Sequence, residues 1–336
     1  MILVTGSTGL VGSHLLYKLI SGNEKVRAIY RNKSKLTNVK HVFSSYTKNY
    51  QSLFDAIEWV EADILDIDRL SDTMVGITYV YHCAAFVSFE PDKYQLLRKV
   101  NIEGTSNIVN LCLSHNIKKL CYVSSIATIG HSIDNSPITE NTNWNPEADN
   151  SVYAITKYGA EMEVWRATQE GLNTVIVNPG VILGAGIWHY GSGSLFKKAR
   201  KGFKFYTSGN IGLISVKDVV SIMVALLNST IVNERFILIA ETWSYQNFLQ
   251  SLAKSVDAKI PLKQAPSWLL GLIWRLDWLK SKLTGKQRLL TKQLATSLQS
   301  QKHYSSEKIK KALNYNFRSI NECIIEIGNK FIKQDQ

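Results

Sequence analysis

The chain begins Met1-Ile2-Leu3-Val4-Thr5-Gly6-Ser7-Thr8-Gly9-Leu10-Val11-Gly12. Met1–Val4 fits a buried strand, the glycines a tight turn, and Leu10, Val11, Leu15, Leu19 and Ile20 the apolar face of a helix. Gly6 permits a sharp turn, Gly9 lets backbone approach an anion, and Gly12 lets the helix pack on the strand. Backbone N–H groups and the positive helix end then meet at one point, so Gly6, Ser7, Thr8, Gly9, Leu10, Val11 and Gly12 read as a pyrophosphate-binding turn.

Downstream, short apolar runs alternate with helical patterns. Lys25–Tyr30, Glu58–Ala62, Ile77–Cys83, Leu120–Val123 and Thr174–Val177 read as strands; Asp66–Met74, Tyr94–Asn116 and Ser151–Glu170 read as helices. Such alternation predicts right-handed crossovers and an α/β fold, a doubly wound parallel sheet of Rossmann type. Ligands bind these sheets at the carboxyl ends of the strands. There lie Arg31, the pair Asp63 and Ile64, the small residues Ala84 and Ala85, Ser125, and Asn178-Pro179-Gly180. No Asp or Glu occurs from Lys25 to Phe54, and Arg31 stands where an acid would bind a ribose 2′-hydroxyl, so NADP(H) is favoured over NAD(H). Asp63 can accept from an adenine amino group or cap the following turn.

Ser125, Tyr153 and Lys157 form a chemical constellation. Tyr153 and Lys157 are four apart, on one helix face. A free phenol has a pKa near ~10, so Tyr153 needs a neighbouring cation to exchange a proton, and Lys157 supplies it. Ser125 would hydrogen-bond a substrate oxygen beside Tyr153.

With 336 residues, 45% of them hydrophobic and 20% charged, the chain can bury a large core. Two lobes are expected, residues 1–184 for the dinucleotide and 185–336 mainly for substrate, the latter mostly helical, with a strand at 235–240 rejoining the main sheet. Residues 130–150, rich in Pro, Asn, Ser and Thr, read as a loop over the sheet's carboxyl edge. Trp243–Val256 reads as a helix. The glycines from Gly184 to Gly193, interleaved with Trp188, His189 and Tyr190, suggest a mobile aromatic loop near substrate. Cys83, Cys112, Cys121 and Cys323 lack metal-ligand spacing, so no structural metal is expected; with no signal-peptide pattern, a reducing, cytoplasmic setting follows.

The net charge of +12 is uneven: Ser251–Lys311 holds 13 Lys/Arg and three acids, a balance of +10. A solvated basic face is one meaning; an anionic surface or substrate is the other. Trp268, Leu272, Leu276, Leu279 and Leu283 recur at helical spacing, which fits core packing or, over residues 267–283, a peripheral membrane contact. No recognised nucleic-acid motif accompanies the basic charge, so nucleic acid is not an expected partner.

The motifs TGSTGLVG, YHCAA, VNIEGT (with Asn101), VSSIATIG, YAITK and NPGVILG occur in this order over residues 1–184, with VKDVV at Val216–Val220. Together they resemble the extended short-chain dehydrogenases/reductases, the family of nucleotide-sugar epimerases and dehydratases. The resemblance implies a catalytic set of Ser125, Tyr153 and Lys157 with Asn101. It also implies cofactor contacts at Gly6–Gly12, Ala84, Ala85, Tyr153, Lys157 and Pro179, and a homodimer formed through the two long helices. VRAIYRN, AFVSFEPD and NPGVILG look more like the dihydroflavonol-reductase and 3β-hydroxysteroid-dehydrogenase branch. Dehydratases carry Asp-Glu after the catalytic Ser/Thr; Ile126-Ala127 stands here, which argues against dehydration. The first reading is therefore an NADP(H)-dependent reductase or dehydrogenase of a small, apolar carbonyl or alcohol, with Phe86, Ser88, Trp188 and Tyr190 as substrate candidates. A nucleotide-sugar epimerase with tightly bound NAD is second. A non-catalytic dinucleotide-sensing protein is third.

Overall fold

Strand β1 (Ile2–Thr5) is buried along its whole length, and the main sheet extends from both of its edges. The computed structural model describes residues 1–130, 132, 136–284, 288 and 290–335. On one side of β1 lie β2 (Val26–Tyr30) and β3 (Glu58–Glu61). On the other lie β4 (Tyr79–His82), β5 (Lys119–Val123), β6 (Thr174–Pro179) and a seventh strand, Glu234–Leu238. All six pairings are parallel, with registers such as Ile2↔Val26, Ile2↔Tyr79, Leu120↔Thr174 and Glu234↔Val175.

Helices cover both faces, which is why the strands are nearly continuous apolar runs. Leu3, Val80, Leu120 and Ile176 turn toward helices Ile67–Met74, Gly104–Ser114 and Val152–Gln169. Val4, Tyr81, Val175 and Val177 turn toward α1 (Leu10–Ser21), α2 (Leu36–Ser44) and helix Val216–Asn228. The mainly helical C-terminal region builds its own core, including Phe196, Phe248, Leu252, Ile324 and Phe331. It also holds a three-stranded sheet of Val181–Leu183, Asn210–Ser215 and Glu241–Ser244.

Several elements differ from the sequence reading. Trp243 and Ser244 belong to strand Glu241–Ser244, where Trp243 pairs with Ile211, and the helix starts only at Tyr245. The lysine-rich stretch after Arg31 carries α2 and a short helix Tyr50–Asp55; Val39, Val42 and Phe43 bury the inner side of α2. The expected helix over 94–116 is helical but includes a π turn, Arg98–Glu103. Residues 130–150 fall partly outside the described residues; in the described part, Ile138 bridges to Tyr304.

Two buried histidines fasten these layers. His14 on α1 lies 2.6 Å (Nδ1) from the Tyr46 hydroxyl and 3.0 Å (Nε2) from the Ala185 carbonyl. His82, at the end of β4, lies 2.7 Å from Thr5 Oγ1 and 3.0 Å from Thr105 Oγ1. Burial pushes His14 down to about 4 and His82 to about 3, so both are neutral at pH 7. An unfolded histidine titrates near ~6.5. Between that value and the folded pKa the unfolded chain binds more protons, so stability falls as pH falls. The expected outcome is a melting temperature that drops steadily from pH 7 to pH 4.5. A flat profile over that range, measured calorimetrically, would contradict neutral, buried histidines.

Candidate functional site

At the carboxyl end of the sheet the chain turns at Gly6, whose φ is +63°. A Cβ there would lie 2.5 Å from the Ala84 nitrogen, and one on Gly12 would lie 2.2 Å from the Gly6 carbonyl oxygen. Only glycine fits at either position. Gly9 caps α1 without a side-chain hydrogen bond, which leaves the first-turn N–H groups for an outside acceptor. Ser7 is buried and donates to the Ile29 carbonyl at 2.5 Å, fixing the turn to β2. The turn therefore fits a dinucleotide pyrophosphate: close backbone, no Cβ, and a positive helix end.

Arg31 follows β2 and is 62% exposed; its Nη1 lies 3.6 Å from Asp63 Oδ2. Asp63 also accepts the Leu65 N–H at 3.1 Å, so it forms the turn after β3. Ile64 is buried next to it, and its carbonyl accepts from Asn107 at 3.0 Å. Ala84 donates its N–H to Thr5 Oγ1 at 3.2 Å, and Ala85 beside it is exposed. Pro179 is buried at the end of β6, opposite Leu238.

Ser125 caps the turn Ile126–Thr128, accepting the Ala127 N–H at 3.1 Å. The half-buried Tyr153 phenol lies beside it: burial raises the Tyr153 pKa, and the neighbouring Ser125 hydroxyl opposes that rise. Lys157, one turn further along, is buried and donates to the Tyr122 hydroxyl at 2.6 Å and the Val123 carbonyl at 2.9 Å. Burial pushes Lys157 down to about 7, with Glu161 resisting the fall. The sequence reading has the Lys157 ammonium stabilising the Tyr153 phenolate, whereas here that ammonium is directed to Tyr122 and Val123. Asn101 lies in the π turn, buried; it accepts the Phe86 N–H at 2.8 Å, donates back to the Phe86 carbonyl at 3.0 Å, and donates to Thr156 at 3.2 Å. It positions the loop after β4.

Of the substrate candidates, Phe86 and Ser88 lie in that loop, where Ser88 accepts the Glu90 N–H at 3.3 Å. Tyr190 reaches the glycine turn, donating to the Thr8 carbonyl at 3.4 Å. Trp188 goes elsewhere: its ring packs on Phe196 and Phe331, and its indole donates to Gln334 at 2.6 Å. It is a packing residue of the C-terminal region.

Three residues at the site were not anticipated. Phe89 sets its ring against Tyr153, with centroids 5.4 Å apart; the alternation in AFVSFEPD was the available signal. Asn38 on α2 donates to the Tyr190 hydroxyl at 3.2 Å. Glu161, one turn beyond Lys157, is fully buried. Its Oε2 accepts from Ser124 (2.5 Å), Thr128 (2.7 Å) and Asn178 (2.8 Å). Its Oε1 accepts from Arg235 (3.0 Å) and Trp165 (3.4 Å). Nothing local in the sequence marks it.

The model of the NAD dependent epimerase/dehydratase family matches residues 2–238. A Synechocystis sp. protein named "Putative dihydroflavonol 4-reductase" is 30% identical over 79% of this chain and 75% of its own. The UDP-glucose 4-epimerase of Vibrio cholerae is 25% identical over 98% of this chain and 97% of its own. Among solved structures, gox2253 superposes with a TM-score of 0.81 at 23% identity, covering 99% of this chain and 98% of that one, which shows the shared fold.

Removing the Glu161 carboxylate would strand a largely buried Arg235 and several donors. Glu161→Ala is expected to destabilise the protein by about 3–5 kcal/mol, the range for breaking a buried pair. Glu161→Gln, which keeps an acceptor, is expected to cost less. Urea denaturation of the two variants measures both; equal, small losses would show that the network contributes little.

Proposed function

Because the chain belongs to the NAD-dependent epimerase/dehydratase family, we propose that it is an NADP(H)-dependent oxidoreductase acting on a carbonyl or secondary alcohol of a small, apolar molecule. The observation that carries this reading is the Ser125–Tyr153 hydroxyl pair with the Phe89 ring against it. When bound, a nicotinamide supplies or accepts the hydride. Tyr153 is a protonated phenol at neutral pH and can give its proton to a carbonyl oxygen as that oxygen gains charge. Ser125 holds the same oxygen in place. Phe89, packed on Tyr153, and Phe86, whose backbone Asn101 fixes, would offer a substrate apolar surface.

The glycine turn and the start of α1 would hold the pyrophosphate, Ala84 and Ala85 the cofactor edge, and Arg31 a 2′-phosphate. Lys157 would hold the nicotinamide ribose, exchanging one of its present partners for a ribose hydroxyl. The residues 1–184 and 185–336 would divide dinucleotide from substrate binding, with Glu234–Leu238 crossing back. The second reading, a nucleotide-sugar epimerase with retained NAD, draws on the near full-length match to the Vibrio cholerae epimerase.

Separate titration of the purified protein with NADPH and NADH distinguishes these readings. Exchangeable NADPH, bound at least about tenfold more tightly than NADH, is expected, and Arg31→Ala should erase most of that gap, since the guanidinium's role is a phosphate contact. Copurifying NAD that resists exchange would instead support the epimerase. With an aromatic or alicyclic ketone as substrate, Tyr153→Phe should lower kcat by roughly 10²–10⁴, the contribution of a positioned acid, with NADPH affinity retained. Full biological activity of that variant would point to a dinucleotide sensor.

The Lys157 charge is present below about pH 7 and lost above it. Cofactor affinity of the free protein is therefore expected to weaken as pH rises through that value. In Glu161→Gln, where the neighbouring negative charge is gone, the weakening should begin at lower pH. An identical pH profile in both proteins would separate Glu161 from the Lys157 charge.

A further inference from the structure

Helix Ser267–Thr284 packs on the body by one side only. Leu270 is its one buried residue, and Asp277 accepts the Leu290 N–H at 2.9 Å. With about 100° per residue, positions 270, 274, 277 and 281 share the inner side. Trp268, Leu272, Leu276, Leu279 and Leu283 cluster on the opposite side, within an arc of about 80°. These five are between 46% and 77% exposed. The stripe that periodicity allowed to be core is thus a solvent-facing face.

Its charged borders all have one sign. Arg275 and Lys282 flank one edge and Lys280 the other, while Asp277, the helix's single acid, lies on the inner side. Arg275 lies over the Trp274 ring at 4.6 Å, and Lys282 over the Trp278 ring at 5.3 Å. The surrounding Ser251–Lys311 segment carries +10 of the chain's net +12.

We propose that this helix is a membrane-surface anchor, lying in the plane of an anionic bilayer with the Trp268–Leu283 stripe among the acyl chains and Arg275, Lys280 and Lys282 at the phosphates. An apolar face with aromatic and leucine side chains bordered by Lys and Arg has the chemistry of an interfacial helix. The cationic surroundings add long-range attraction to anionic lipid. A second copy of the chain fits less well: a two-fold contact through this stripe would bring the same cationic borders face to face. Among the described residues no helix is long and apolar enough to cross a membrane, so the contact lies along the interface.

Flotation of the full-length protein with vesicles tests this. Mixed phosphatidylcholine–phosphatidylglycerol vesicles are expected to carry the protein up the gradient, and phosphatidylcholine alone to bind at least about tenfold more weakly, as expected for combined apolar and electrostatic binding. Leu272→Glu/Leu276→Glu should abolish flotation, and Arg275→Gln/Lys280→Gln/Lys282→Gln should remove the preference for anionic lipid. All five positions are exposed, so melting temperature and cofactor binding should be unchanged, which confirms that the variants fold. Absence of flotation, or flotation unaffected by the leucine variant, would overturn the proposal. So would a dimer in sedimentation that the leucine variant dissociates, with no lipid binding.

Discussion

A carboxylate sealed from water governs the architecture of the site. An isolated buried carboxylate costs several kcal/mol or more, so Glu161 can exist only where donors surround it. Those donors come from five places: Ser124 just after β5, Thr128 in the turn Ile126–Thr128, Asn178 at the end of β6, Arg235 on the seventh strand, and Trp165 on its own helix. Arg235 extends the link by donating to the Glu140 carbonyl at 3.0 Å, and Glu140 accepts the Ile237 N–H at 2.8 Å. The last three strands and the helix Val152–Gln169 are thereby held in one arrangement. Strand alternation then assigns the neighbouring serines: Ser124 points to the carboxylate and Ser125 to Tyr153. Asn178 also donates to the Ser125 carbonyl at 3.2 Å, so one network fixes both serines.

The opposite half of the sheet's carboxyl edge is fastened without charge. Thr5, His82 and Thr105 form a buried, neutral chain across β1, β4 and the helix Gly104–Ser114, and Thr5 holds the Ala84 N–H. Lys157 is one of the causes that keep His82 neutral. The positive potential at the glycine turn thus comes from backbone N–H groups and the α1 terminus, which are already oriented and need no side-chain rearrangement to receive an anion.

The sheet was legible because its inner strands are buried on both faces and read as nearly unbroken apolar runs between turn residues. The glycine turn was legible because Gly6 and Gly12 are positions where a side chain has no space. Helix α2 was hidden: Leu36, Val39, Val42 and Phe43 have helical spacing, but Lys, Asn, Ser and Thr surround them. Strand Glu241–Ser244 has four residues, too few for alternation to register. Trp188 and Tyr190 are two apart and go to different places, one into the C-terminal core and one to the glycine turn, which no local pattern can separate. Glu161 reads as an ordinary helix surface residue; its counter-ion is 74 positions away. For the 268–283 stripe, periodicity identifies that five apolar residues share a side but carries no sign for inward or outward; that sign depends on whether other elements supply a facing surface.

Tyr153, Lys157 and Glu161, each four residues after the last, descend one face of a single helix from half-buried to fully buried. The order matters chemically. Glu161 at the bottom opposes the loss of charge that burial imposes on Lys157, and the Tyr122 hydroxyl and Val123 carbonyl take two of the three Lys157 protons. An ammonium at the same depth without Glu161 would lose its proton more readily, and a carboxylate placed at the level of Tyr153 would disfavour any phenolate formed there. The four-residue spacing resolves this conflict: it keeps the negative charge near enough to sustain Lys157 and two helical turns from the Tyr153 hydroxyl.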